Sequence, residues 1–430
     1  MEDQGKRVKG LDPARAENLD ACIKCGACTA QCPVTAVYPL FPGPKSMGPD
    51  AERLRLAGVA LTPDCLSYCT NCKTCEVTCP SGVRVTEMLL RAREQEKEAK
   101  TRLTGRRRNV RDYILGRAEH LGRLGTVWPA LTNAVLRRKT TRRLLEKSIG
   151  LSARAPLPLY SQKFRHRDKS SPLRELLRGD GIPDPAARIV YFPGCFITYN
   201  DAATGQAVVK VLEHNGFEVI VPEFHCCGVP LTTNGHFREA VANAVHNLAL
   251  LQPYLEEGIP VIASCTSCGL ALKDDYPRVA APGAERVGAQ TYDFFEFLWE
   301  LHNRGDLRED FQAVPVSLAY HAPCHLKAQG IGTPAVRILR LIPGVKVLEL
   351  DAGCCGLSGS FGFKEEKYNL AQQIGSSLFS RVQTGMEEKK FQGVVTECGG
   401  CQIQIAHGSG AETVNPVWLL AEAYGLKGKS

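Results

Sequence analysis

Thiolates are the side chains here that could do chemistry in quantity. The chain of 430 residues carries 19 cysteines, nine crowded between Cys22 and Cys79 and ten in small groups between Cys195 and Cys401. The dense set reads Cys22-x2-Cys25-x2-Cys28-x3-Cys32-Pro33, then Cys69-x2-Cys72-x2-Cys75-x3-Cys79-Pro80. Both are the C-x2-C-x2-C-x3-C-P run that ligates [4Fe–4S] clusters in two-cluster ferredoxins. Three thiolates at two-residue gaps curl around one cluster, and the fourth ligates the other. The spacing therefore assigns Cys22, Cys25, Cys28 and Cys79 to a first cluster. Cys69, Cys72, Cys75 and Cys32 form a second set. Gly26 is expected to bring its loop close to the inorganic core, and Pro33 and Pro80 to fix the chain direction after the last ligands. Zinc is the alternative ligation, but zinc sites use two separated pairs rather than two full runs. Cys65 falls outside the pattern and is expected to be a small buried apolar residue. Lys24 and Lys73 flank these ligands and are expected to be solvated loop lysines.

The second regime is an internal repeat. Cys195, Cys226-Cys227-Gly228 and Cys265-x2-Cys268 recur as Cys324, Cys354-Cys355-Gly356 and Cys398-x2-Cys401, offset by 128–133 residues. Short apolar runs precede each group: Ile189–Phe192, Phe217–Val221 and Val261–Ala263, then Val316–Tyr320, Val345–Leu350 and Val394-Val395. Helical patterns separate them (Ala207, Val208, Val211, Leu212; Val241, Val245, Leu248, Leu251; Val336–Leu341). Alternating short strands and helices imply a parallel sheet. The cysteines then lie just past the carboxyl ends of strands, where open α/β sheets bind ligands. Five thiolates converge on one rim in each copy. Iron–sulfur ligation, zinc and a redox dithiol are the candidate chemistries, with the upstream runs favouring the first. His225, His321 and His325 border these cysteines. His321 and His325, which bracket Cys324, are the candidate proton-handling residues.

Composition bounds the rest. The chain is 44% hydrophobic and 23% charged, which excludes a largely disordered polymer. It has no apolar run of about 18 residues, and residues 1–10 lack a signal-peptide h-region. A high, odd cysteine count in such a chain argues for metal ligation in a reducing compartment rather than disulfides. The positive charge is local: Lys100 to Lys147 holds 14 Lys/Arg against 3 Asp/Glu. Within it, Val110, Tyr113, Ile114, Leu121, Leu124, Trp128, Leu131 and Val135 recur mostly at three- and four-residue steps, as one helical stripe. Arg106, Arg107, Arg108, Arg137, Arg138, Arg142 and Arg143 stand at its ends, and Pro129 is expected to kink or split it. This is the profile of an interfacial membrane helix or of a linker packed on a partner or on the repeats. No recognition motif accompanies the charge, so nucleic acid is not expected. No Gly-rich dinucleotide fingerprint follows a strand, which places flavin and substrate on another subunit.

The expected architecture is α+β and multidomain. A helical ferredoxin-like module holding two clusters spans 1–100, a basic helical connector 101–185, and two α/β parallel-sheet halves 186–305 and 306–430.

The repeated Cys…Cys-Cys-Gly…Cys-x2-Cys pattern resembles the CCG domain of heterodisulfide reductases and of glycolate and lactate oxidase iron–sulfur subunits. Further segments narrow this. They are Phe41-Pro-Gly-Pro-Lys45 with Gly48-Pro-Asp-Ala-Glu-Arg-Leu54, Pro193-Gly-Cys-Phe196 with Tyr199-Asn200, Cys226-Cys-Gly-Val-Pro230, His321-Ala-Pro-Cys-His325, and Cys354-Cys-Gly-Leu-Ser-Gly359 with Phe361-Gly-Phe-Lys364. With them, nearly the full length resembles the C-subunit family of anaerobic glycerol-3-phosphate dehydrogenases. That resemblance implies an electron-transfer subunit of an oxidoreductase complex. An FAD-containing dehydrogenase subunit would oxidise glycerol 3-phosphate, and this chain would pass the electrons to membrane quinone, typically menaquinone. It also implies a peripheral place on the cytoplasmic face of the membrane. Besides two cubane clusters, it implies one or two noncubane [4Fe–4S] clusters in the CCG halves. Both five-cysteine sets are complete, which keeps a disulfide-reductase role open. The other alternative is an iron–sulfur subunit of a glycolate, lactate or succinate oxidoreductase.

Overall fold

A computed structural model describes residues 19–59, 64–100, 106–166 and 188–426. Residues 1–10, the 185/186 boundary and the side chains of Arg106, Arg107 and Arg108 lie outside the described residues.

The ferredoxin-like module has short helices inside its cysteine runs, α1 (Ala27–Ala30) and α2 (Thr74–Val77), followed by the longer α3 (Val85–Lys100). Its core gathers Val34, Phe41, Leu66, Met88 and Leu89, each at most 1% exposed. Phe361, Leu370, Ala371 and Ile374 of the last part of the chain join the same core. The module is therefore packed as part of the whole.

The connector splits at Pro129, as expected, and breaks twice more. It forms four helices, α4 (Arg106–Gly116), α5 (Ala118–Gly125), α6 (Pro129–Arg137) and α7 (Lys139–Ile149). Trp128 precedes a proline and is driven out of the helical region, to φ −135° and ψ 77°, so Pro129 opens a new helix. Arg138, extended between α6 and α7, makes the next break. The basic residues also divide. Arg142, expected at the surface, is buried and donates to the carbonyls of Ser152 and Ala155. Arg111 is buried against both Glu366 oxygens at 2.8 Å.

The repeat becomes two four-stranded parallel sheets of the same topology. The first orders its strands β2-β1-β3-β4, from β1 (Arg188–Phe192), β2 (Glu218–Ile220), β3 (Val261–Ala263) and β4 (Thr291–Asp293). The second repeats this as β6-β5-β7-β8, from β5 (Val316–Tyr320), β6 (Val345–Glu349), β7 (Gly393–Val395) and β8 (Thr413–Val414). The fourth strands, Thr291–Asp293 and Thr413–Val414, are not legible in the sequence, because they lack the continuous apolar run that marks the others. Ile189, Val190, Tyr191 and Phe192 are 0% exposed, as central strands covered on both faces require. In the first half, helices α8 (Gly194–Tyr199), α9 (Ala202–His214), α10 (Phe237–Glu256) and α11 (Thr266–Leu270) fill the crossovers, and α12 (Phe294–Arg304) follows β4. A capping box between Asp293 and Glu296 starts α12, and Gly305 in the left-handed region ends it. In the second half the counterparts are α13 (Cys324–Lys327), α14 (Pro334–Leu339), α15 (Glu365–Glu387), α16 (Gly399–Ser409) and α17 (Val417–Ala423). Residues of both halves, among them Ile189, Phe294, Leu318 and Leu420, share one apolar core. Among the described residues, no helix is long and apolar enough to cross a membrane.

Candidate metal centres

The eight ferredoxin-type cysteines line two cavities. Cys22, Cys25, Cys28 and Cys79 face one. Cys32, Cys69, Cys72 and Cys75 face the other. Each run thus sends its fourth cysteine across to the other set, as the spacing implies. Among the described residues, no Asp, Glu or His lines either cavity. An all-thiolate donor set of this kind suits iron–sulfur ligation. The backbone N–H of Val83 donates to Cys79 Sγ at 3.3 Å, the kind of contact that tunes a thiolate ligand. Cys25 is exposed, whereas Cys32, Cys72 and Cys75 are buried. Cys65 packs on this core with its Sγ 3.5 Å from Met47 Sδ.

The loops correct one expectation. Gly26 has φ 81°, and the matching position in the second run is Lys73, with φ 58°, so both hold left-handed backbone. Lys73 is no solvated loop lysine. It is 7% exposed, and its Nζ pairs with Asp274 at 2.5 Å and Asp275 at 3.2 Å. Lys24 is exposed, as expected.

In the first CCG half, Cys195 follows β1, Cys226 and Cys227 follow β2, and Cys265 and Cys268 follow β3. Cys226 Sγ lies 3.7 Å from Cys195 Sγ, and side-chain contacts run on from Cys226 to Cys227, Cys268 and Cys265. The second half repeats this chain through Cys324, Cys354, Cys355, Cys401 and Cys398, with Cys401 Sγ 3.3 Å from Cys355 Sγ. Gly356 N–H donates to Cys354 Sγ at 3.3 Å. The sets are neighbours. Cys72 lies within electrostatic reach of Cys354, and Cys265 within that of Cys398.

The histidines are placed differently. His321 is 2% exposed, and burial pushes its pKa down to about 4, so its ring is neutral at physiological pH. His325 has both ring nitrogens engaged, by Asn71 O and Ser267 Oγ. His225 lies outside, with Nδ1 3.1 Å from Glu119 Oε1 and its ring centroid 4.1 Å from that of His246. Sequence reasoning does not single out Glu119. It reaches from α5 to accept from the backbone N–H of Cys226 at 2.8 Å. Glu397, immediately before Cys398, also escapes it. This residue is 3% exposed, accepts from Tyr320 Oη at 2.8 Å, and burial pushes its pKa up to about 8. Its place beside a ligand is the signal that could have found it.

Residues 18–83 match the 4Fe-4S dicluster domain family, and residues 189–273 and 318–406 match the cysteine-rich CCG domain family. The chain is 35% identical to the C subunit of the anaerobic glycerol-3-phosphate dehydrogenase of Escherichia coli (strain K12), over 94% of its length and 98% of that protein's. It is 28% identical to the glycolate oxidase iron–sulfur subunit of the same organism, over 90% of each chain. It is 26% identical to one of the dihydromethanophenazine:CoB–CoM heterodisulfide reductase subunits of Methanosarcina barkeri (strain Fusaro), over 97% of each. Dicluster module, paired CCG halves and near full-length identity place the chain in the family of anaerobic glycerol-3-phosphate dehydrogenase C subunits, iron–sulfur electron-transfer proteins of an oxidoreductase complex.

Proposed function

We propose that this chain takes electrons from an FAD-containing subunit that oxidises glycerol 3-phosphate and delivers them to membrane quinone. The observation that carries this reading is the order of the ligand sets. The Cys22/Cys25/Cys28/Cys79 set has an exposed member, Cys25. The set containing Cys72 comes next and neighbours Cys354 of the second CCG half. Cys398 of that half neighbours Cys265 of the first. Glu119, on the connector, then caps the first half at Cys226. When bound, iron–sulfur clusters supply one-electron transfer, which splits the two electrons of a flavin into single steps. The thiolates would hold two cubane clusters in the ferredoxin-like module and one or two noncubane clusters in the CCG halves, two if both complete sets are filled. Four such clusters correspond to about 16 iron atoms per chain.

The connector is the proposed membrane contact, on the cytoplasmic face. Leu124, Val127, Trp128 and Leu131 are 60–73% exposed. Arg137, Arg138, Lys139, Arg143 and Lys147 are exposed nearby in sequence. Apolar side chains flanked by cations suit an anionic bilayer surface.

An anaerobic pull-down tests the partner: a glycerol-3-phosphate-oxidising flavoprotein supports the reading, and a different dehydrogenase overturns the substrate. Co-sedimentation with anionic vesicles tests the membrane contact; binding should weaken with salt and with Trp128→Glu. A second reading, disulfide reduction at the CCG halves, is favoured by the completeness of both five-cysteine sets. A spectral change at the clusters on adding a disulfide would support it.

A further inference from the structure

His325 follows Cys324 at the start of α13. Its Nε2 lies 2.8 Å from the carbonyl oxygen of Asn71, and its Nδ1 lies 2.7 Å from Ser267 Oγ. A carbonyl can only accept, so Nε2 carries the proton and donates. Nδ1 then accepts from the Ser267 hydroxyl. One neutral imidazole satisfies both contacts.

The partners occupy particular places. Asn71 immediately precedes Cys72, and Ser267 stands between Cys265 and Cys268. A single ring therefore ties together positions adjacent to ligands of three sets: the second ferredoxin-type set and both CCG sets. Neighbouring contacts brace the same junction. Ser358 Oγ donates to Thr70 O at 3.0 Å, and Gln329 Nε2 donates to Thr266 O at 3.1 Å. Asn71 sits at φ 54° and the matching Lys24 of the first run at φ 60°, so the left-handed turn belongs to the C-x2-C loop, and it aims the Asn71 carbonyl at His325.

We propose that His325 is a positioning residue whose imidazole clamps these three ligand sets at one fixed spacing for electron transfer. This rests on the reading that the sets hold iron–sulfur clusters. It differs from the proton-handling role expected from sequence, because a proton carrier at this ring would have to break one arm of the junction.

The test uses the full chain, loaded anaerobically, with His325→Asn, His325→Gln and Ser267→Ala. Gln can place a donor near the Nε2 position and retain the Asn71 arm; Asn places its amide near Nδ1 and loses that arm. Iron content, spin–spin interaction between reduced clusters by EPR, and the rate of internal electron transfer are read for each. With iron unchanged, His325→Asn should weaken the interaction of the second cubane with the CCG clusters. Transfer from the second cubane to the CCG clusters should slow several-fold. His325→Gln should restore that arm, and Ser267→Ala should disturb the first CCG half alone. Wild-type coupling and rates in His325→Asn at full iron overturn the clamp, as does equal behaviour of the Asn and Gln variants. If the His325 variants do not fold, Ser267→Ala decides, and unchanged coupling of the first half counts against the proposal. Wild-type iron far below about 16 per chain overturns the cluster reading instead.

Discussion

The two CCG halves share a strand order and a five-cysteine set, yet they are built into different surroundings. The second half shares its wall with the ferredoxin-like core, through Phe361, Leu370, Ala371 and Ile374. The first half meets that module through ion pairs instead, Lys73 with Asp274 and Asp275 and Glu87 with Arg278, and Glu119 of the connector holds its Cys226 N–H. The interiors differ at one matched position. Tyr191 meets Ser264 at 2.7 Å before Cys265, whereas Tyr320 donates to Glu397 at 2.8 Å before Cys398. The difference teaches that one duplicated sulfur rim can be set in two unlike surroundings.

Ligand substitutions break this comparison most sharply. Cys354→Ser should block quinone reduction by about 10²-fold or more while leaving the ferredoxin-type clusters reducible by the partner. Cys226→Ser should block quinone reduction equally and leave the second half reducible as well. EPR of the partner-reduced complex separates the two outcomes, and identical spectra would remove the proposed direction.

The glycines of the two Cys-Cys-Gly turns sharpen it next. Both have positive φ, 98° at Gly228 and 84° at Gly356. A Cβ at Gly228 would first meet Ala240 Cβ at 3.1 Å, but at Gly356 it would lie 2.0 Å from the backbone oxygen of Ala371. Gly228→Ala should cost about 1 kcal/mol, and Gly356→Ala about 3 kcal/mol because helix α15 must shift. Chemical denaturation of both variants checks the ranking.

The smallest effect concerns Asp293, which caps α12 in the first half, where Asn415 caps α17 in the second. Burial pushes the Asp293 carboxyl up to about 7. The native state then holds a proton that the unfolded chain releases near pH 4. Stability should therefore be full below about pH 4 and decline as the pH rises to about 7. Asp293→Asn should flatten that decline, by roughly 1–3 kcal/mol between pH 5 and pH 8. An unchanged pH profile would show that the carboxylate finds charge compensation in the fold.

Much of this is legible because cysteine spacing is a local code. Strand ends are readable where Ile189–Phe192 or Val261–Ala263 run into a ligand, since buried parallel strands are continuous apolar runs. The split of the connector at Pro129 is legible, but the breaks at Arg117 and Arg138 are not, because apolar recurrence runs through them. Lys73 reads as a solvated lysine because its partners, Asp274 and Asp275, lie some two hundred residues away. Glu119 and Ser267 are invisible for the same reason: their roles arise only when distant segments meet.

The crossing of Cys32 and Cys79 between the two ferredoxin-type sets has a consequence for how the protein is made. With these ligand sets, neither cysteine run can complete a cluster from its own residues, so the runs must find each other as metal is loaded. Metal supply and folding become one event. A cell short of iron would then accumulate molecules with the module either complete or unformed, and few caught halfway.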